Sequence, residues 1–133
     1  MDRNIQDALI KVTTALPAQN TNNNTASIDL GQTTAGSVNE RIDLLLTVPA
    51  TPALANGQTQ TFQFQDSADN VTFAAIPQLA SAVITGAGGV GGPALSWRLK
   101  LPGSARRYIR ANQAASATAA DNTAISSILQ LTF

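Results

Sequence analysis

The stretch "VITGAGGVGGPALSW", residues 83–97, decides between two fold classes. Gly86, Gly88 and Gly91 spell G-x-G-x-x-G directly after an apolar, β-branched run, the written form of a dinucleotide-binding loop. In that fold a helix follows the glycines, and its N-terminus carries the pyrophosphate. Here Gly92 and Pro93 follow, and then "ALSWRLKL", whose alternation reads as a strand. The first acid after Gly91 is Asp121, thirty positions on, against the roughly 20 at which a ribose-binding acid stands. No Gly-Lys-Ser/Thr of a phosphate loop is present either. The match is one of letters, and no nucleotide site is expected. The run instead predicts a hairpin loop between strands at 79–85 and 94–101. Five glycines in seven residues leave it nearly free of side chains. It is either a bare, pliable tip or a loop that lies flat on a neighbouring protein, with Gly88, Gly89 and Gly91 as contact residues.

Working outward, two-residue alternation dominates and helical periodicity is scarce. Ile42, Leu44, Leu46 and Val48 alternate with polar or smaller neighbours, and Phe62 and Phe64 alternate with Thr61, Gln63 and Gln65. Trp97, Leu99 and Leu101 do so with Ser96, Arg98 and Lys100. Each run reads as a strand with one buried face. Strands are expected near 9–16, 26–30, 40–48, 59–65, 71–76, 79–85, 94–101, 106–112 and 124–133, the fifth and sixth forming one bent strand. Turn signals such as "TTAGS", "PATPALANGQ" and "DSADN" fall between them. "AQNTNNNTAS" reads as a polar loop, and 112–122 as a loop or a frayed helical turn. One short helical candidate covers 2–9, where Ile5 and Leu9 lie four apart. The pattern predicts an all-β fold: an antiparallel sandwich or jelly roll of about eight strands with little or no helix. At 133 residues it is a single domain, 1–133, with 1–8 as an N-terminal arm.

Composition narrows the chemistry. The chain has no cysteine and no histidine. That removes Ser-His and Cys-His catalysis, disulfides and the usual zinc ligands. No cofactor is expected. The N-terminus "MDRNIQDALI" has no apolar core of a secretory signal, and no apolar run reaches the roughly 18 residues of a membrane span. A chain made in the cytoplasm, with no membrane partner, is expected. Only 12% of residues are charged, about half the usual ~25%. Net charge is zero, yet residues 1–69 hold seven acids and three bases, and 70–133 hold one acid and five bases. Either this asymmetry averages out in three dimensions, or it meets a complementary surface on a copy or a partner.

Those five bases are Arg98, Lys100, Arg106, Arg107 and Arg110, in "SWRLKLPGSARRYIR". Pro102-Gly103 suits the middle of a type II turn. A hairpin closed there sets Trp97 against Tyr108, but also Arg98 against Arg107. Either the register differs, or an acid from elsewhere separates that repelling pair, with Asp29, Glu40 and Asp43 as candidates within the chain and a partner chain as another source. The basic run is read as an internally paired or solvated face, as a protein interface, or as a single-strand nucleic-acid site using Trp97 and Tyr108. Zero net charge weighs against the last, and no direct nucleic-acid partner is expected. Asp66 and Asp69 in "QDSADN" lack the spacing of a calcium loop and read as a strand-ending turn with Asx hydrogen bonds.

Several stretches also carry a resemblance. "DALIKVTTAL", a polar loop and "ASIDLG" at 26–31, followed by "TFQFQDSADNVTFAAI", "ARRYIRA" and the closing "ISSILQLTF", resemble the jelly-roll capsid cement (decoration) proteins of short-tailed phages, of the Bordetella-phage type. The glycine-rich segment 86–92 has no counterpart in that pattern. The resemblance implies a structural virion protein, not an enzyme, on the outer surface of an icosahedral head. Its partners would be the major capsid protein and itself, as a homodimer or homotrimer with the dimer favoured. It implies no catalytic residue and no metal. The alternatives are another virion sandwich protein of the tail or head-completion apparatus, and a carbohydrate-binding module. The second needs exposed aromatics, and most of the six here fall on buried parity.

Overall fold

The computed structural model describes residues 11–30, 43–102, 104–116 and 122–132. Among them lie ten strands: β1 (Lys11–Ala15), β2 (Asn22–Asn24), β3 (Ile28–Asp29), β4 (Asp43–Val48), β5 (Thr59–Ser67), β6 (Ala74–Ala75), β7 (Ala82–Thr85), β8 (Leu95–Lys100), β9 (Tyr108–Ala115) and β10 (Ser126–Thr132). No helix occurs among the described residues. The first sheet has the order β1-β10-β4-β8. In the second, β9 and β5 are central, with β2 and β3 along the outer side of β9 and β6 and β7 along the outer side of β5. Every strand pair is antiparallel. Counting β2/β3 and β6/β7 as one interrupted strand each leaves eight, four to a sheet. The chain passes from sheet to sheet between most consecutive strands, which is the double Greek key of a jelly roll.

Alternation explains the core. On β4, Leu44, Leu46 and Val48 are buried, and on β5, Phe62 and Phe64. Ile109 and Ala111 of β9 and Leu129 and Leu131 of β10 complete the two inner faces. Each buried Leu or Phe contributes about 1.5–3 kcal/mol relative to exposure. Polar groups tie the sheets together inside this core. Gln113 of β9 donates through Nε2 to the Ala15 carbonyl at 3.2 Å and to Asn23 Oδ1 at 2.8 Å. The Ser127 hydroxyl of β10 donates to Gln113 Oε1.

The expected strands are present, with three corrections. First, the polar segment read as a loop contains β2: Asn22, Asn23 and Asn24 pair with β9, and Asn23 joins the Gln113 network. Thr25 then interrupts the ladder, its Oγ1 accepting the Ala111 N–H at 3.0 Å. Second, 79–85 and 94–101 do not form a hairpin. Strand β7 pairs with β5 in the second sheet and β8 with β4 in the first, so the glycine run crosses between sheets. Third, β8 and β9 are not a hairpin either. Trp97 lies opposite Leu46, and Tyr108 lies opposite Ser67 and Asp29. The cause is common to both cases. Leu95, Trp97 and Leu99 bury best against Val48, Leu46 and Leu44, and a local turn cannot offer that surface. The bent strand is found as β6 and β7, both along β5. Strand β9 runs on to Ala115. The arm 1–8, the helical candidate 2–9, Glu40 and Gly103 lie outside the described residues.

Candidate partner-binding surface

The fold divides the basic run between two sheets. Arg98 and Lys100 sit on β8, at the edge of the first sheet, while Arg106, Arg107 and Arg110 lead into or lie on β9 of the second. Three arginines meet acids of this same chain. Arg98 reaches Asp43 at 3.5 Å on the surface. Lys100, also exposed, is in register with Asp43. Arg107 makes a two-pronged pair with Asp29, Nε to Oδ1 at 2.7 Å and Nη2 to Oδ2 at 2.9 Å. That pairing raises the Arg107 pKa above the ordinary arginine value. Asp29 and Asp43 thus each pair with one arginine within its own sheet, and it is the different register, with Arg98 and Arg107 on separate sheets, that keeps those two cations apart.

Arg106 is held by Asp66, an acid expected to lie in a turn. Its Nε and Nη2 donate to Asp66 Oδ1 at 3.0 and 2.7 Å, and Nη2 also reaches the Asp66 carbonyl at 2.9 Å. Its backbone N–H donates to Oδ2 at 3.0 Å. The hydrogen bonds to Asp66 raise its pKa. A signal for this existed: Asp66 shares the parity of Phe62 and Phe64, so its side chain, 10% exposed, points inward and requires a cation. Asp69 does form the expected Asx turn. Its Oδ1 accepts the N–H groups of Val71 and Thr72, both at 2.9 Å, and the Ser67 hydroxyl at 2.8 Å. These donors hold its pKa at about 2. No metal-binding cluster occurs among the described residues.

Arg110 differs. It stands on the outward face of β9, in register with Gln65, and its Nε donates to Gln65 Oε1 at 2.8 Å. Its guanidinium lies over the Phe73 ring, 3.9 Å from the centroid. Partial burial lowers its pKa. Around it the outer face of the second sheet carries uncharged polar groups: Gln63 and Asn112 are opposite one another, and Asn112 donates to Asn24 Oδ1 at 2.9 Å. Tyr108 lies at one end, under the Arg107 guanidinium at 5.2 Å.

The glycine run is neither a bare tip nor a helix start. It is zipped onto the loop after β4. Thr51 and Gly92 exchange two backbone hydrogen bonds of 2.9 Å, while the Gly86 N–H donates to the Gln58 carbonyl at 2.9 Å and its carbonyl accepts the Gly57 N–H at 2.8 Å. A Cβ on Gly91 would overlap the Thr51 carbonyl, and one on Gly86 the Ala55 carbonyl. Gly91 also has φ +82°, so only glycine permits this approach. At the tip the Gly89 N–H donates to Asn56 Oδ1 at 3.0 Å, and Val90 is 78% exposed. Residues 44–65 and 70–97 contain no charged side chain, so the two loops zipped together here carry no charge. Gly88 and Gly89 are exposed there, whereas Gly91 is buried under its neighbours.

A family model described as Bbp16 matches residues 12–127, most of the chain and all of the strands from β2 to β9. A search of curated proteins returned no match.

Proposed function

The chain belongs to the Bbp16 family, a Bordetella phage protein family, and from that membership we propose that it is a structural protein of the virion. On this reading it is a cement protein. It binds the outer surface of the icosahedral head and holds neighbouring major capsid protein subunits against internal pressure, as a homo-oligomer and without catalysis. The family match is the observation that carries the reading.

Three physical features support it. The jelly roll is a stiff slab whose polar core ties, through Gln113 and Ser127, join one sheet to the other. Among the described residues three of the four arginines are neutralised internally, so the outer faces present Asn, Gln, Thr and Ala, which make hydrogen bonds to a partner without the desolvation cost of free charge. Many such modest contacts, repeated over a lattice, add up through avidity. Trp97, the platform that sugar binding would call on, packs inward, half-buried against the core.

The test mixes purified protein with undecorated expanded heads and sediments them. Co-sedimentation at a fixed ratio to the capsid protein is the expected result. Protein left wholly in the supernatant would refute the proposal, and light scattering gives the oligomer number.

A further inference from the structure

We propose that Arg110, on the outer face of the second sheet, is the anchor for an acidic side chain of the partner protein on which that face docks. The inference rests on the head-binding reading above and assigns its contact. A guanidinium carries five N–H donors in a rigid fork. This chain shows twice what such a fork does with a carboxylate: Arg106 and Arg107 each hold one through Nε and Nη2, at 2.7–3.0 Å. Arg110 makes the same Nε contact with a neutral amide, Gln65 Oε1, and no carboxylate pairs with it among the described residues. The two acids nearest along its sheet, Asp66 and Asp29, are already taken by Arg106 and Arg107.

The fork is also set in place beforehand. The Phe73 ring centroid lies 3.9 Å from its Cζ and Gln65 holds its Nε, so little side-chain entropy remains to be lost when a ligand arrives. A partly buried cation without a counter-ion gains most from one that a partner supplies. Its neighbours Gln63, Asn112 and Tyr108 give the uncharged, aromatic-containing surround in which arginine anchors of protein interfaces sit. A phosphate backbone fits less well, because a nucleic-acid face gathers several free cations. Here the neighbouring cations, Arg106 and Arg107, are neutralised by acids.

The experiment titrates undecorated expanded heads with wild type, Arg110→Gln, Arg110→Lys and Phe73→Leu, reading bound protein by sedimentation at low and high salt. The expected result is a loss of affinity of at least about tenfold for Arg110→Gln, with an unchanged thermal midpoint, and partial retention by Arg110→Lys, which keeps the charge but not the fork. Phe73→Leu should fall between wild type and Arg110→Gln. Wild-type binding should weaken with salt more steeply than that of Arg110→Gln. If wild type binds and Arg110→Gln binds equally well, the anchor is overturned while the head-binding reading stands. If wild type does not sediment with heads, both fall. If Arg110→Gln leaves head binding intact but abolishes retention of a single-stranded oligonucleotide, the carboxylate assignment is overturned in favour of phosphate.

Discussion

Arg106 makes four hydrogen bonds, all to Asp66, whereas Arg110, four residues along the same chain, gives one N–H to Gln65 and sits over the Phe73 ring. The two regions use one residue type for opposite ends. Register decides which. Asp66 faces inward on β5, so the arginine that meets it is drawn into the slab and fastens the segment before β9 to the strand beside it. Gln65 faces outward, so the arginine opposite it stays on the surface, and among the described residues no carboxylate takes up its fork. A cation that is satisfied from within stabilises the fold, and one left open is available to another molecule.

The comparison can be broken first at its inward end. Arg106→Ala strands the nearly buried Asp66 carboxylate. It should cost about 3 kcal/mol in chemical denaturation, at the lower end of values for buried pairs because the arginine is 38% exposed. Replacing both partners, Arg106→Met with Asp66→Leu, should recover much of that loss. The glycine crossing offers a second internal fastening, made of backbone alone. Gly91→Ala should cost about 2–3 kcal/mol by forcing the two loops apart, while Gly89→Ala, with the same sign of φ but open space around it, should cost about 1 kcal/mol.

Gln60 sharpens the contrast from the other side. It is fully buried, and neither its amide nitrogen nor its oxygen hydrogen-bonds to the protein. It is an inward polar group without the partner that Asp66 has, so Gln60→Met should leave stability unchanged or raise it by about 1 kcal/mol. Asp69 tests an exposed carboxylate whose donors are local. Its folded pKa is depressed to about 2 from 3.8. Its stabilisation is therefore complete above 3.8 and is lost as pH falls toward 2. Asp69→Asn keeps the acceptor oxygen, so its stability should fall less steeply over that interval. Smallest of all, Arg110→Gln should shift stability by less than about 0.5 kcal/mol. A larger shift would make Arg110 a fold residue like Arg106 and erase the distinction.

Much of the fold was legible residue by residue, and its connectivity was not. The parity of Leu44-Leu46-Val48 and of Phe62-Phe64 names both the strands and their buried sides, because extended backbone alternates its side chains whatever it pairs with. Partnership is another matter. The turn signals at 86–92 and 102–103 read the same whether the chain doubles back in one sheet or crosses to the other, and only the surface offered by β4 decides for β8. Strand β2 was invisible because three asparagines carry no apolar rhythm; the β9 main chain and Gln113 hold it there. Of the candidate residues, Asp29 and Asp43 were named as neutralising acids from charge alone. Asp66 was missed because the turn chemistry around it masked the parity it shares with two buried phenylalanines. Arg110 was named with its four basic neighbours, but nothing in one dimension separates it from them.

The pairing of β1 with β10 sets Lys11 opposite Gln130, and β10 is also the strand through which β1 and β4 are joined. The first sheet is thus closed by contacts between residues more than a hundred positions apart, so the contact order is high and the loop-closure entropy must be met before those contacts repay it. Refolding on the millisecond-to-second scale follows. On the ribosome, a chain not yet synthesised through β10 leaves β1 and β4 with bare hydrogen-bonding edges and nothing between them. Such edges invite pairing with other nascent chains, which makes the interval before β10 emerges the point at which crowded synthesis is most exposed to aggregation.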